Sequence, residues 1–130
     1  HPAAAAAALA NIEILETEKI PERVQTTGKY FEKTLRDLSD LDIVGEVRGS
    51  HFMMGIEFVA NKQTKLAFAE EKNVALRLQQ HAQKRGLIAR PLGNILILSP
   101  TLILSNKNID DIGHILRESI EAVTKELQIE

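Results

Sequence analysis

The sequence predicts an α+β fold: a small, mainly antiparallel sheet covered by helices on one face. Four segments carry apolar residues at helical spacing, and two pairs of short apolar runs lie between them. The predicted order is helix, helix, strand, strand, helix, strand, strand, helix. With 130 residues, the chain is long enough to bury one core.

The first predicted helix begins at Pro2, a residue that suits the first helical position, and continues through an alanine run at residues 3–8. Its first turns carry no polar side chain on any face, and a helix that is apolar all round favours burial. Two interpretations remain open: a packed core helix, or a helix that lies against a part of the protein outside this sequence. Residues 1–19 are therefore set apart from an α+β domain at residues 20–130, and both interpretations of the helix stay open.

The second helix is expected to start at Pro21 and to bury one stripe of side chains: Val24, Gly28, Phe31, Leu35 and Leu38. Residues 43–49 and 53–59 then predict an antiparallel pair of strands. Ser50 and His51 connect them, but no Gly-x-Ser-x-Gly turn surrounds them and no acid is placed to orient the imidazole. A nucleophilic role for this pair is therefore not expected.

A third helix is predicted over residues 70–85, with Gly86 as its C-cap glycine. A hairpin should follow, with residues 87–89 in its first strand, a turn at residues 92–94 and Ile95–Leu98 as its second strand. That second strand is apolar on both faces, so it should be central and fully covered. Ser105 or Asn106 is expected to cap the last helix, which should bury a stripe of apolar residues: Ile109, Ile112, Leu116, Ile120, Val123 and Leu127.

Arg90 is the candidate binding residue, because it places one charge at the mouth of this apolar hairpin. The planar guanidinium can donate two parallel hydrogen bonds to a carboxylate. The alternative is that Arg90 is an ordinary surface residue at the end of a strand.

Composition excludes several classes of function. The net charge is −2 and no basic cluster is present, which argues against a nucleic-acid partner. Cysteine is absent, so disulfides and thiolate metal sites are excluded. The four scattered histidines do not have metal-ligand spacing, no apolar run is long enough to span a membrane, and no signal peptide is visible. We expect a cytoplasmic protein without a metal or a membrane partner.

No catalytic constellation is visible in the sequence. There is no phosphate-binding glycine loop and no paired carboxylate in an apolar setting. A lysine that forms a Schiff base needs a desolvated or cationic setting, whereas the lysines here lie in polar helix faces or loops. The sequence also begins His1-Pro2 without a methionine, which suggests a fragment of a longer chain.

Several segments, in order along the chain, resemble the C-terminal small domain of class III aminotransferases, which are pyridoxal-phosphate enzymes of fold type I. The similar segments are His1-Pro2-Ala3-Ala4, Val44-Gly45-Glu46-Val47-Arg48-Gly49, Met53-x-Gly55-Ile56-Glu57, Arg85-Gly86-Leu87-Ile88-x-Arg90, Gly93-Asn94, Leu98-Ser99-Pro100-Thr101-Leu102 and Asn108-Ile109-Asp110. His51, Asn94 and Thr101 depart from the residues usual in the family, which are glycine, aspartate and proline respectively.

The resemblance implies that Arg90 binds the carboxylate of the substrate or co-substrate. It also implies that the catalytic lysine and the pyridoxal 5'-phosphate site lie in a large domain upstream of His1, so that no catalytic or cofactor-binding residue is expected here and the fragment alone is inactive. The parent would transfer an amino group between an amine or ω-amino acid and a 2-oxo acid such as pyruvate, as a homodimer. Residues 1–19 would then be an interdomain helix that packs on the large domain or on the partner subunit, and residues 20–130 would be the α+β domain.

Other functions stay open at this point. The parent could be a decarboxylase or aminomutase that uses the same cofactor. The chain could also be a stand-alone carboxylate-binding module, or a dimerisation domain without a ligand.

Overall fold

The computed structural model describes residues 1–129 and consists of four α-helices packed around one small sheet. The helices are α1 (Pro2–Thr17), α2 (Ile20–Arg36), α3 (Val74–Lys84) and α4 (Asn106–Ile129). The strands are β1 (Val44–Ser50), β2 (Met53–Asn61), β3 (Leu66–Ala67), β4 (Arg90–Leu92) and β5 (Ile95–Leu98). Short 3₁₀ turns at Asp37–Asp40 and Glu70–Lys72 lead into β1 and α3.

The sheet has the strand order β1-β2-β5-β4, and β3 pairs with β2 beside this row. Every described pairing is antiparallel. The α+β class and the antiparallel sheet are confirmed. The two-residue strand β3 was not predicted, because two residues are too few to show an alternating pattern.

The core lies between one face of the sheet and helices α2, α3 and α4. Phe31 and Leu35 of α2 and Leu78 of α3 are completely buried there, together with four residues of α4: Ile109, Leu116, Ile120 and Val123. From the sheet, Ile56, Phe58 and Leu96 point into the same core. The predicted apolar stripes of α2 and α4 therefore form the interior, with Val24, Ile112 and Leu127 at its margin.

Helix α1 forms over the predicted residues but buries no side chain in this chain. Leu9 and Ile14 are more than half exposed. The interpretation of α1 as a helix packed in the core of this chain is therefore wrong, because no layer within residues 1–129 covers its apolar side chains. None of the helices within residues 1–129 has the length and hydropathy needed to cross a bilayer.

Helix α3 ends before Gly86, as predicted, but the strand that follows begins later than predicted. Gly86 has a φ of 92° and donates its N–H to Gln83, while Leu87 donates to Ala82, which closes a Schellman motif. The Leu87 N–H is used to end the helix, and residues 87–89 form no strand. Strand β4 begins instead at Arg90, and Gly93 and Asn94 make a two-residue turn.

Strand β5 is central, as predicted, but it is not fully covered. Leu96 and Leu98 point into the core, whereas Ile95 and Ile97 are only partly buried on the opposite side. The helices pack on only one face of the sheet, so alternate residues of β5 have no covering layer within residues 1–129.

Ser105 is the N-cap of α4, which resolves the predicted choice between Ser105 and Asn106. The Asn108 N–H donates to Ser105 Oγ at 3.2 Å, and the Ser105 N–H donates to Asn108 Oδ1 at 3.1 Å. These reciprocal bonds have the geometry of a capping box.

Candidate functional site

Arg90 is the first residue of β4 and lies at the open end of the β4–β5 hairpin. It pairs with Ile97 of β5, and Pro91 pairs with Leu96. Because side chains alternate along a strand and Leu96 points into the core, Arg90 points to the side of the sheet that the helices do not cover. The predicted charge at the mouth of the hairpin is therefore present, on an exposed residue.

The uncovered side of the sheet is called the open face here. Register places one row of residues across all four strands, from Arg90 through Ile97 and Gly55 to Arg48. The next row contains Leu92, Ile95, Glu57 and Glu46. The open face thus has an apolar centre, an arginine at the β4 edge, and charged residues at the β1 edge.

The Arg90 guanidinium has no hydrogen-bond or ion-pair partner among residues 1–129. Four other arginine side chains are paired with carboxylates: Arg36 with Glu32, Arg48 with Glu46 and Glu57, Arg85 with Glu118, and Arg117 with Asp40. An unpaired guanidinium keeps all five donors available for an external acceptor, and a carboxylate matches its geometry best.

An apolar cavity of about 380 Å³ adjoins Arg90. Its lining combines segments before β4 and after β5 with two core helices, and includes Phe31, Ile88, Ala89, Leu98, Pro100 and Ile112. Apolar surroundings lower the local dielectric constant and strengthen a hydrogen bond made there. A small carboxylate with an apolar body therefore fits the combination of this cavity and this guanidinium.

Ser50 is the last residue of β1 and His51 follows it in the β1–β2 turn, with Ser50 Oγ and His51 Nδ1 2.7 Å apart. Glu32 accepts a hydrogen bond from the His51 backbone N–H at 3.3 Å. The carboxylate thus contacts the main chain rather than the ring, and the second ring nitrogen of His51 is buried without a partner among the described residues. The pair does not have the base-orienting contact that a nucleophilic serine needs.

Of the three unusual residues, the structure explains Asn94 and shows the surroundings of His51. His51 adopts a φ of 49° and packs on Gly28 of α2. Asn94 donates its side-chain N–H to the Phe68 carbonyl at 2.8 Å, a bond that an ionised aspartate could not donate. For Thr101, which is exposed, nothing in the structure explains the residue.

The described lysines do not fit covalent attachment of an aldehyde cofactor. Lys62 is only half-exposed, and its ammonium donates to the Leu41 carbonyl at 3.0 Å and also to the Ser39 carbonyl. Its nitrogen is thus held by main-chain carbonyls at the surface, which is not the desolvated or cationic setting that a Schiff-base lysine needs. Within residues 1–129, no cluster of three or more histidine, aspartate or glutamate side chains could hold a metal ion.

Sequence reasoning identified Arg90 but missed the open face around it. The register that aligns Arg90, Ile97, Gly55 and Arg48 depends on which strands are neighbours, and the sequence did not predict that β5 lies between β2 and β4. The only signal was the apolar character of Ile95 and Ile97, which was interpreted as coverage on both faces.

Known proteins share both this sequence pattern and this fold. The family model described as "Aminotransferase class-III" matches residues 1–120. The chain is 38% identical over 122 residues to a putrescine–pyruvate aminotransferase of Pseudomonas aeruginosa, covering 93% of this chain and 26% of that protein.

Solved structures give the same result. The chain superposes on an omega-transferase crystal structure from Vibrio fluvialis JS17 with a TM-score of 0.96 and 31% identity, covering 100% of this chain and 31% of that one. It also superposes on a PMP-bound aminotransferase from Vibrio fluvialis with a TM-score of 0.87 and 31% identity, covering 92% of this chain and 26% of that one. The chain therefore spans about a quarter to a third of the proteins that it matches.

Proposed function

Because this chain belongs to the class-III aminotransferase family, we propose that it is the small domain of an aminotransferase that moves an amino group between an amine or ω-amino acid and a 2-oxo acid such as pyruvate. The longer polypeptide that would contain it is called the parent enzyme here. Members of the family use pyridoxal phosphate, and one structural relative is described as PMP-bound.

The observation that carries the proposal is the unpaired Arg90 guanidinium beside the apolar cavity. A 2-oxo acid offers a planar carboxylate that two parallel N–H groups can bind. A hydrogen bond to a charged group contributes about 1.5–3 kcal/mol. The role that we propose for Arg90 is to bind and orient that carboxylate, while the cavity accepts the apolar part of the substrate.

The cofactor supplies the electron sink for amino-group transfer, and the lysines of this chain do not fit its attachment. We therefore place the cofactor and the catalytic lysine in the remaining polypeptide of the parent enzyme. A large domain of the same chain as partner, a homodimeric state and a cytoplasmic location are part of the same proposal. The isolated chain is expected to be inactive.

The test is an amino-transfer assay with the parent enzyme and with the isolated 130-residue chain, using a diamine or ω-amino acid as donor and pyruvate as acceptor. The expected result is formation of alanine by the parent enzyme alone. Decarboxylation of the donor, or a shift of its amino group within one molecule, would instead assign a decarboxylase or an aminomutase. Tight binding of pyruvate by the isolated chain would indicate a stand-alone carboxylate-binding module.

A further inference from the structure

Gly55 is a glycine in the middle of β2 whose side-chain position is empty. A Cβ added there would meet only Ile95 Cγ2, at 3.6 Å, which is an ordinary van der Waals contact. Gly55 has no positive φ either. Within residues 1–129, neither packing nor backbone conformation requires glycine at this position.

The other six glycines have such a reason. An added Cβ would come within 2.7 Å of another residue at four of them, and the remaining two have positive φ with open space around them: Gly28, Gly45, Gly49 and Gly113 in the first group, and Gly86 and Gly93 in the second. Glycine inside a strand weakens the strand, and often marks a place where a ligand or another backbone approaches closely. Gly55 fits that description on its outward side.

The surroundings of Gly55 are apolar and exposed. Met53 is 75% exposed and Leu92 is 54% exposed, and Ile95 and Ile97 lie partly buried between them. An open groove of about 350 Å³ runs along this part of the open face, between Arg48 and the end of β5. Helices cover the opposite face of the sheet, so this apolar strip has no covering layer within the described residues.

We infer that the strip Met53–Gly55–Ile95–Ile97 is a docking surface for a polypeptide segment of the parent enzyme that crosses the sheet with its main chain over Gly55. The assignment of the occupant rests on the proposed function. The chain accounts for only 26% of the aminotransferase relative and 31% of the structural relative, so most of each of those proteins lies outside the matched part. A protein segment suits this strip for two reasons. Its backbone can approach Gly55 closely, and its apolar side chains can cover the apolar residues on either side of Gly55.

The charges next to the strip agree with an apolar protein segment rather than an ionic ligand. Arg48 is already paired with Glu46 and Glu57, so that edge of the strip offers no free cation to a bound anion. The strip is distinct from helix α1, which is exposed at another part of the chain. The strip would thus be a second surface that contacts the rest of the parent enzyme, in addition to the predicted interdomain helix.

The test compares Gly55→Ala and Gly55→Val in two contexts, using the midpoint of thermal unfolding. The isolated chain has its own buried core, and there both variants should keep or raise the Tm, by up to about 4 °C for a residue with higher strand propensity. In the parent enzyme the same variants should lower the Tm by several degrees, Val more than Ala, because the added side chain displaces the docked segment. The matched control is Ala60→Val, an exposed position of β2 outside the strip.

Equal behaviour of the Gly55 variants in both contexts would overturn the proposal. So would a dimer of the isolated chain, measured by sedimentation, that Gly55→Val abolishes, since it would assign the strip to a second copy. The thermal measurement does not depend on amino transfer. If the parent enzyme fails the transfer assay but shows the context-dependent Tm loss, the docking surface stands and the proposed function falls.

Discussion

Glu46 and Glu57 lie directly opposite each other across β1 and β2. One guanidinium nitrogen of Arg48 donates a hydrogen bond to each carboxylate, and the bond to Glu46 is 2.9 Å long. Like charges in this position destabilise a strand pair. The hydrogen bond to Glu57 is the largest cause that raises the pKa of Arg48, and burial opposes it. Arg48 therefore offsets a repulsion that the strand register itself creates.

Replacing Arg48 by Met keeps the apolar stem and removes the charge. We expect the free energy of unfolding to fall by about 0.5–1 kcal/mol in low salt at neutral pH, the usual size for exposed ion pairs. Urea unfolding in low and high salt measures this, because salt screens exposed charges. Adding Glu46→Gln to Arg48→Met should recover part of the loss. A loss that is independent of salt and of Glu46 would contradict the electrostatic explanation.

Gly28 and His51 form the contact between α2 and the β1–β2 turn. A Cβ on residue 28 would lie 2.7 Å from His51 Cβ and 3.1 Å from its Cα. Gly28→Ala should therefore destabilise the chain by about 1–3 kcal/mol, the cost of overpacking, despite a helix-propensity gain of about 1 kcal/mol. Chemical denaturation measures the difference.

The control for this contact is His51→Gly. This substitution removes the His51 side chain, with which the new methyl group of Gly28→Ala would clash. Glycine also accepts the φ of 49° found at residue 51. The double variant Gly28→Ala with His51→Gly should recover much of the stability lost by Gly28→Ala alone. Full additivity of the two substitutions would show that the contact is not the cause.

Tyr30 donates a hydrogen bond of 2.6 Å to Asp110 Oδ1, joining α2 to α4. This bond, with smaller effects of burial and of the Asp110 charge, raises the pKa of Tyr30. The chain has one tyrosine and no tryptophan, so phenolate absorbance reports Tyr30 alone. A spectrophotometric titration should give a higher pKa in the folded chain than in the chain unfolded in urea.

The pH dependence of folding stability follows from the raised pKa of Tyr30. The folded pKa is raised, so the contribution of Tyr30 is complete at pH values below the unfolded pKa and is lost as the pH rises through the folded pKa. Asp110→Ala should return the titration towards the ordinary value. Asp111→Ala, which removes only the exposed partner of Lys107, should leave it unchanged. An unshifted titration in the unmodified chain would contradict the described contact.

The sequence predicted local structure well in two situations: where a residue type strongly favours one backbone position, and where apolar residues follow helical spacing. Pro21, Gly86 and Ser105 indicated helix ends correctly, and the apolar stripes of α2 and α4 indicated the core. The start of β4 could not be predicted, because pairing with β5 begins only at Arg90, opposite Ile97, and the position of a partner strand is a long-range property.

The candidate site could be predicted only as a single residue. Arg90 was visible because it interrupts an apolar segment, but its neighbours on the open face come from β1, β2 and β5. Strand order depends on contacts between distant parts of the chain, and the spacing of apolar residues within one segment does not predict it. For the same reason, the apolar residues of β5 predicted coverage on both faces, although helices cover only one.

The measurement that tests the role of Arg90 most directly uses two amino acceptors in the parent enzyme. The first is pyruvate, and the second is an aldehyde of similar size without a carboxylate. Arg90→Ala should lower kcat/KM for pyruvate about 10- to 100-fold, which corresponds to the loss of about 1.5–3 kcal/mol for a charge-assisted hydrogen bond, and should leave the aldehyde unaffected. Arg90→Lys should recover only part of this loss, because an ammonium cannot donate the parallel pair of hydrogen bonds.

Arg23→Ala is the matched control, since Arg23 is also exposed and has no side-chain partner among the described residues, but lies on α2 away from the hairpin. It should leave both acceptors unchanged. A pyruvate-selective loss confined to the Arg90 variants is the result that the account predicts. An equal loss for both acceptors, or no loss for pyruvate, would contradict the assignment of Arg90 as the residue that binds the substrate carboxylate.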